Sequence, residues 1–166
     1  MIQKKVCMLG ADGVGKTSLV RRYVESVFSE RYHSTLGVKV DKKLVTAGGR
    51  EVSLILWDLA GMDELSSVPS SYLRGSSGYL IVVDGTRPAT FENAERLQSG
   101  VASVLGDVPF LVLLNKSDLS AQWRLGDGDR QCADRGWASQ HTSAKLGDGV
   151  ELAFSRLAEL MLRSTP

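Results

Sequence analysis

A chain of 166 residues with 20 lysines and arginines against 19 aspartates and glutamates carries a net charge of +1, so net charge directs it neither to nucleic acid nor to a membrane. The length suits one domain over residues 1–166, and no apolar run approaches the roughly 20 residues that cross a bilayer. Cys7 and Cys132 are isolated, without CxxC or metal-ligand spacing, as expected of reduced thiols in a cytoplasmic protein. The N-terminus shows no signal-peptide pattern, and Ile2 stands where myristoylation needs glycine.

In chain order, Val6 to Leu9 reads as a buried strand entering a Gly-rich turn, and Thr17 to Val27 as a helix with Leu19, Val20, Tyr23, Val24 and Val27 on its apolar side. Ser29 to Gly37 is polar and irregular, which suits a surface loop. Val38 to Ala47 and Glu51 to Asp58 flank Gly48-Gly49, a pair that tolerates the positive φ of a tight hairpin, and are expected to pair antiparallel. Strands follow at Tyr79 to Asp84, Phe110 to Asn115 and, more weakly, Ala138 to Thr142. Between and after them helical patterns cover Thr90 to Leu105, Asp129 to Arg135 and Val150 to Leu162, the last offering Leu152, Leu157, Leu160 and Met161 for packing. Strands alternating with helices imply an α/β fold, with a mostly parallel sheet covered on both faces and ligands at the carboxyl ends of its strands.

One motif lies at such an end. Gly10-Ala11-Asp12-Gly13-Val14-Gly15-Lys16-Thr17 matches GxxxxGK[ST], placed between a predicted strand and a predicted helix. Its glycines let backbone N–H groups close around phosphate, the helix N-terminus adds a favourable dipole, Lys16 brings a mobile positive charge, and the Thr17 hydroxyl can ligate Mg²⁺. A chance Gly-rich turn of this pattern arises well under about 1% of the time in a chain of this length. Such a loop implies a nucleoside triphosphate without choosing the base.

Asn115-Lys116-Ser117-Asp118, at the end of another buried strand, supplies that choice. A carboxylate only accepts hydrogen bonds, so Asp118 suits the N1–H and N2–H₂ edge of guanine and is repelled by the N1 acceptor of adenine. Taken alone, the tetrapeptide reads equally well as a polar turn.

Together these segments resemble the Ras superfamily of small GTPases, nearest in wording to its Rab and Ras branches. The resemblance spans nearly the whole chain and rests on five segments in the family's order: 10–17, Ser34-Thr35-Leu36-Gly37, Trp57-Asp58-Leu59-Ala60-Gly61, Asn115 to Asp118, and Thr142-Ser143-Ala144-Lys145. It implies a P-loop GTPase fold with a six-stranded, mostly parallel sheet, one antiparallel strand and helices on both faces. It also implies GTP or GDP and Mg²⁺ as ligands. Asp12, Gly13, Val14, Gly15, Lys16, Thr17 and Ser18 would surround the phosphates, with Lys16 on the β and γ groups. Thr17 and Thr35 would ligate the metal, and Asp58 would orient it through a water. Gly61 would offer its N–H to the γ-phosphate, completing a catalytic set of Lys16, Thr35 and Gly61. Phe28 would lie edge-on to the guanine, Asn115, Lys116 and Asp118 would frame it, and Ser143, the Ala144 N–H and Lys145 would close the pocket. Two loops tethered through the γ-phosphate would relax on hydrolysis, and effector, exchange-factor and activating proteins would read them near residues 29–40 and 58–75.

The chain departs from the family pattern at three places. Met62 stands where the family has a water-orienting Gln, and a thioether donates no hydrogen bond, so hydrolysis should be slow unless Asp63, Glu64 or Arg31 substitutes. Asp12 occupies a position that is usually small or neutral, where it either opposes the γ-phosphate or points to solvent. Leu162-Arg163-Ser164-Thr165-Pro166 contains no cysteine for prenylation, so no direct membrane anchor is expected in this chain: either it stops short of the natural C-terminus, or the protein works in the cytosol without a lipid anchor, as a prokaryotic relative or a module of a larger protein would. The expected function is a GTP/GDP switch with slow Mg²⁺-dependent hydrolysis. The alternative is a scaffold that holds the nucleotide constitutively; a P-loop kinase would leave the segments at 115–118 and 142–145 without a role.

Overall fold

The computed structural model describes residues 2–25, 38–59 and 68–164. In order, these form β1 (Ile2–Leu9), α1 (Lys16–Glu25), β2 (Val38–Ala47), β3 (Arg50–Leu59), α2 (Ser70–Leu73), β4 (Gly78–Asp84), α3 (Ala89–Leu105), β5 (Phe110–Asn115), α4 (Gly128–Asp134), β6 (Ser139–His141) and α5 (Val150–Arg163). The strands make one six-stranded sheet in the order β2-β3-β1-β4-β5-β6. β2 pairs antiparallel with β3, and the remaining neighbours are parallel. The expected α/β sheet, with one antiparallel strand and helices on both faces, is therefore the observed one. Gly48 and Gly49, at φ 57° and 74°, make the hairpin turn between β2 and β3.

Alternation along the central strands sorts their side chains into two cores. Val6, Met8, Leu80, Val82, Leu111 and Leu113 face α1 and α5 on one side. Cys7, Leu9, Tyr79, Ile81, Val83, Val112 and Leu114 face α2, α3 and α4 on the other. Both cysteines are buried free thiols. The parallel order crosses over between β1 and its neighbours β3 and β4, so the carboxyl ends of β1, β3, β4 and β5 open on one side, where α1 begins.

Several boundaries differ from the sequence expectation. β1 starts at Ile2, because its ladder with β3 already pairs Ile2 with Val52. α4 begins one residue early, at Gly128, because the Asp127 side chain accepts from the Arg130 N–H and caps the helix there. Leu152 does not pack: it is 54% exposed, while Val150, Ala153, Phe154, Leu157, Ala158 and Met161 form the buried stripe of α5. Leu157 and Met161 are buried as expected, and Leu160 packs at the margin. The four-residue α2 and a 3₁₀ turn at Ser120–Gln122 carry too little periodicity to be read from sequence. Among the described residues no helix is long and apolar enough to cross a membrane.

Candidate functional site

The segment after β1 is shaped by backbone that only glycine adopts easily. Gly10, Gly13 and Gly15 have φ of 147°, 77° and 106°. A Cβ on Gly10 would lie 2.5 Å from the Val82 carbonyl oxygen, and one on Gly15 would lie 2.4 Å from Asn115 Nδ2. The loop is thus pressed against β4 and β5 and turns directly into α1, where the Leu19 N–H bonds the Gly15 carbonyl at 2.9 Å. Lys16 is buried at the first position of α1, and its Nζ donates to the Gly10 and Ala11 carbonyls. Asp12 is exposed on the loop, Val14 is buried, and Gly13, Thr17 and Ser18 are half-buried.

Beside the loop, the Thr17 hydroxyl donates to Asp58 Oδ2 at 2.5 Å. The parallel register sets Asp58 next to Met8, two residues before Gly10, which is why the end of β3 reaches the start of α1. Asp58 Oδ1 is buried with no hydrogen-bond partner. Burial pushes the Asp58 carboxyl up, opposed by the Thr17 hydrogen bond and by the positive charges of Lys16 and Lys39. A hard divalent cation is the group that relieves a buried, half-satisfied carboxylate beside a threonine hydroxyl, so the donor set fits Mg²⁺.

The segment after β5 is built into the same floor. Asn115 is buried; its Nδ2 donates to the Val14 carbonyl at 2.9 Å and its Oδ1 accepts from the Thr142 hydroxyl at 3.0 Å. Lys116 takes φ 66°, unusual for a residue with a side chain, and its ammonium reaches Asp84 Oδ2 at 2.9 Å. Asp118 Oδ1 accepts from the Ser143 hydroxyl at 2.8 Å, while Ser143 Oγ itself accepts from the Leu146 N–H at 3.0 Å. Ser117 N–H bonds the Thr142 carbonyl at 3.1 Å, so the segments at 115–118 and 142–145 are stitched together.

Four residues that sequence reasoning missed complete the frame. Arg22 on α1 donates to the Ala144 carbonyl at 2.8 Å and also to that of Lys145. Asp84, at the end of β4, is buried and accepts from the Thr86 N–H, the Thr86 hydroxyl, Arg87 Nε and Lys116 Nζ. Burial alone would raise its carboxyl, but the bonds from Thr86 and Lys116 outweigh burial and hold it below the ordinary range. Trp123 lies across Gly85, where a Cβ would sit 1.9 Å from the ring. The available signal was position: Asp84 is an acid at the carboxyl end of an otherwise apolar strand. Arg22 and Trp123 carried none, since their partners are backbone or distant in sequence, and for Arg87 the pair with Asp84 three residues before it was the one local cue, its bond to the Asp12 carbonyl leaving none.

The structure therefore gathers Asp12 to Ser18, Asp58, Asn115, Lys116, Asp118 and Ser143 to Lys145 at one end of the sheet. Phe28, Arg31, Thr35, Gly61, Met62, Asp63 and Glu64 lie outside the described residues.

A sequence model of the Ras family matches residues 5–163. The Ras-related protein Rab-10 of Caenorhabditis elegans is 33% identical over 165 residues, covering 98% of this chain and 82% of that protein. Rab-21 of Geodia cydonium is 34% identical over 168 residues, covering 99% and 73%, and Rab-7L1 of Rattus norvegicus is 37% identical over 170 residues, covering 97% and 83%. With the family match spanning nearly the whole chain, and Rab relatives aligned along it, this protein belongs to the Ras family of GTPases and is a Rab-like GTP-binding switch.

Proposed function

We propose that residues 1–166 form a single small GTPase domain that binds GTP and GDP with Mg²⁺, hydrolyses GTP slowly, and acts in the cytoplasm through two switch loops. The observation that carries the reading is the junction of the two motifs: Asn115 of the base segment bonds the carbonyl of Val14 in the phosphate loop, so one rigid floor serves both ends of a nucleotide. Lys16 holds the triphosphate, with Asp12, Gly13, Val14, Gly15, Thr17 and Ser18 around it. Asp118 reads guanine while Ser143 fixes its carboxylate, Lys116 covers the base plane, and the Ala144 N–H and Lys145 close the pocket. Phe28 would flank the base.

Thr17 and Thr35 would hold the metal, with Asp58 beside them to orient it. Bound Mg²⁺ supplies neutralisation of phosphate charge. Two observations support the metal site, namely the orphaned Asp58 Oδ1 and the Thr17 hydroxyl 2.5 Å from Oδ2. Lys16, Thr35 and the Gly61 N–H stabilise the charge that develops on the γ-phosphate. Met62 offers no donor to orient the attacking water, so the intrinsic rate is low. Effectors, exchange factors and activating proteins meet the chain near residues 29–40 and 58–75. The half-buried Trp57 and Tyr72, with ring centroids 6.2 Å apart, form an aromatic surface at the border of that region.

The test is to denature purified protein, identify the released nucleotide by chromatography, and follow single-turnover conversion of GTP to GDP with and without Mg²⁺. Retained GDP or GTP with slow, Mg²⁺-dependent conversion is expected. An adenine nucleotide, or no nucleotide and no guanine affinity, would overturn the reading. Guanine retention with no conversion would favour the scaffold.

A further inference from the structure

Arg87 sits outside every segment that identifies the nucleotide site, yet it touches two of the site's supports. Its Nε donates to Asp84 Oδ2 at 3.0 Å and its Nη2 donates to the Asp12 carbonyl at 2.8 Å. The same Asp84 Oδ2 is 2.9 Å from Lys116 Nζ, so one buried carboxylate oxygen holds the base-segment lysine on one side and the arginine that grips the phosphate loop on the other.

The backbone beneath Arg87 is fixed. Its N–H bonds the Asp84 carbonyl at 2.9 Å, its own carbonyl accepts from the Thr90 hydroxyl at 2.7 Å, and Pro88 follows it into α3. A side chain launched from so rigid a turn loses little further freedom in bridging two acceptors, and a planar guanidinium donates from Nε and Nη2 at once, which an ammonium cannot do with the same geometry. Asp12 O belongs to the loop's exposed outer turn, whereas Asn115 anchors the inner turn at Val14. Arg87 is thus the outer of two ties between the phosphate loop and the strands carrying the base segment.

We propose that Arg87 is a positioning residue that sets the lifetime of bound nucleotide, by locking the outer turn of the phosphate loop to Asp84 and, through it, to Lys116. The inference rests on the nucleotide reading of this site. Without the bridge, the loop and the lysine move independently, and phosphate and base are released one after the other instead of being held together. Because the Arg87 side chain is 46% exposed, an acidic group on an exchange-promoting partner has access to the guanidinium and would compete with the Asp12 carbonyl for it.

The test is stopped-flow release of a fluorescent GDP analogue from the full chain with Mg²⁺ and excess unlabelled GDP, together with the association rate and the melting temperature. Arg87→Ala should release the analogue about tenfold faster or more, with little change in association, since loss of one charge-assisted bridge acts on the bound state. Arg87→Lys keeps the charge beside Asp84 but not the two-acceptor bridge, and should also release fast. Arg135→Ala, which breaks an exposed pair with Glu95, serves as the surface control and should match wild type.

Wild-type release from Arg87→Ala would overturn the proposal, as would full rescue by Arg87→Lys, which would make charge alone responsible. If Arg87→Ala proves poorly folded, fast release from a normally melting Arg87→Lys supports the bridge and slow release rejects it. A wild-type chain that fails to bind the GDP analogue would remove the nucleotide reading, and this inference with it. Wild-type binding with unaltered release in the variants would remove the inference alone.

Discussion

Asn115 Nδ2 lies 2.9 Å from the carbonyl oxygen of Val14, across 101 positions of sequence. The amide spends its other end on the Thr142 hydroxyl, so a single buried side chain joins the phosphate loop, the end of β5 and the segment after β6. Gly15 must stay bare for this, because a Cβ there would lie 2.4 Å from the same Nδ2.

Asn115→Ala is expected to destabilise the protein by about 2 kcal/mol, because it leaves a buried carbonyl and a buried hydroxyl unpaired. Denaturant unfolding measures this, and nucleotide release should accelerate in parallel. Gly15→Ala should damage nucleotide binding as well, combining a strained φ of 106° with displacement of the Asn115 amide. Wild-type stability and affinity in either variant would deny the junction its role.

Asp84 gives the protein a specific acid sensitivity. Its carboxyl lies below the ordinary value of 3.8, since the bonds from Thr86 and Lys116 exceed the effect of burial. A depressed folded-state pKa means that this contribution to stability is complete above the unfolded value and is lost as pH falls through the folded one. Asp84→Asn should therefore cost about 1–2 kcal/mol near neutrality, a figure held low because Arg87 and Lys116 are partly solvated. The gap between wild type and variant should narrow as urea unfolding is repeated at pH values descending below the ordinary carboxyl value of 3.8. A gap that stays constant across that range would mean that Asp84 contributes through packing alone.

The legibility of this chain follows the range of its interactions. Val6 to Leu9, Tyr79 to Asp84 and Phe110 to Asn115 were readable because strands buried on both faces are continuous apolar runs, and Gly48-Gly49 because two positive φ values demand glycine. The phosphate loop and Asn115 to Asp118 were readable because their chemistry is local to a few consecutive residues. Leu152 misled because α5 follows a 3.6-residue period set by Ala153, Phe154, Leu157 and Met161, and one apolar residue beside that stripe looks the same in sequence as one within it. Arg22 was invisible, and the grip of Arg87 on the phosphate loop with it, because the acceptors are main-chain carbonyls at Ala144, Lys145 and Asp12, and a carbonyl leaves no letter in the sequence.

Base choice is expected to reside in Asp118, whose carboxylate is oriented by Ser143 at 2.8 Å. Asp118→Asn exchanges an acceptor for a donor and should lower guanine affinity while admitting xanthosine nucleotides, whose 2-oxo group matches the new N–H₂. The shift in preference should reach about 10- to 100-fold, as one or two misplaced hydrogen bonds cost roughly 1.4–3 kcal/mol. A competition titration that leaves guanine preferred as before would take Asp118 out of the base-reading role. Ser143→Ala should produce a weaker loss without change of base preference, since it only loosens the carboxylate.

The hydrolysis rate is expected to be limited by two residues that depart from the family pattern. Met62 supplies no hydrogen-bond donor to the attacking water, and Asp12, exposed on the phosphate loop, brings negative charge to the region where the γ-phosphate would lie. Met62→Gln should raise the single-turnover rate roughly tenfold, less than a full acid–base group provides, because an amide orients water without taking its proton. Asp12→Gly should add to the gain by reducing repulsion, and it leaves the bridge from Arg87 intact because Arg87 bonds the main-chain carbonyl at this position. The two effects should combine non-additively if both side chains act on one phosphate group. Neither change buries a polar group, so GDP affinity and melting temperature should hold, which separates a catalytic gain from a folding effect. Rapid hydrolysis by the wild-type chain, with no gain from Met62→Gln, would mean that another group orients the water, with Arg31, Asp63 and Glu64 the first to replace.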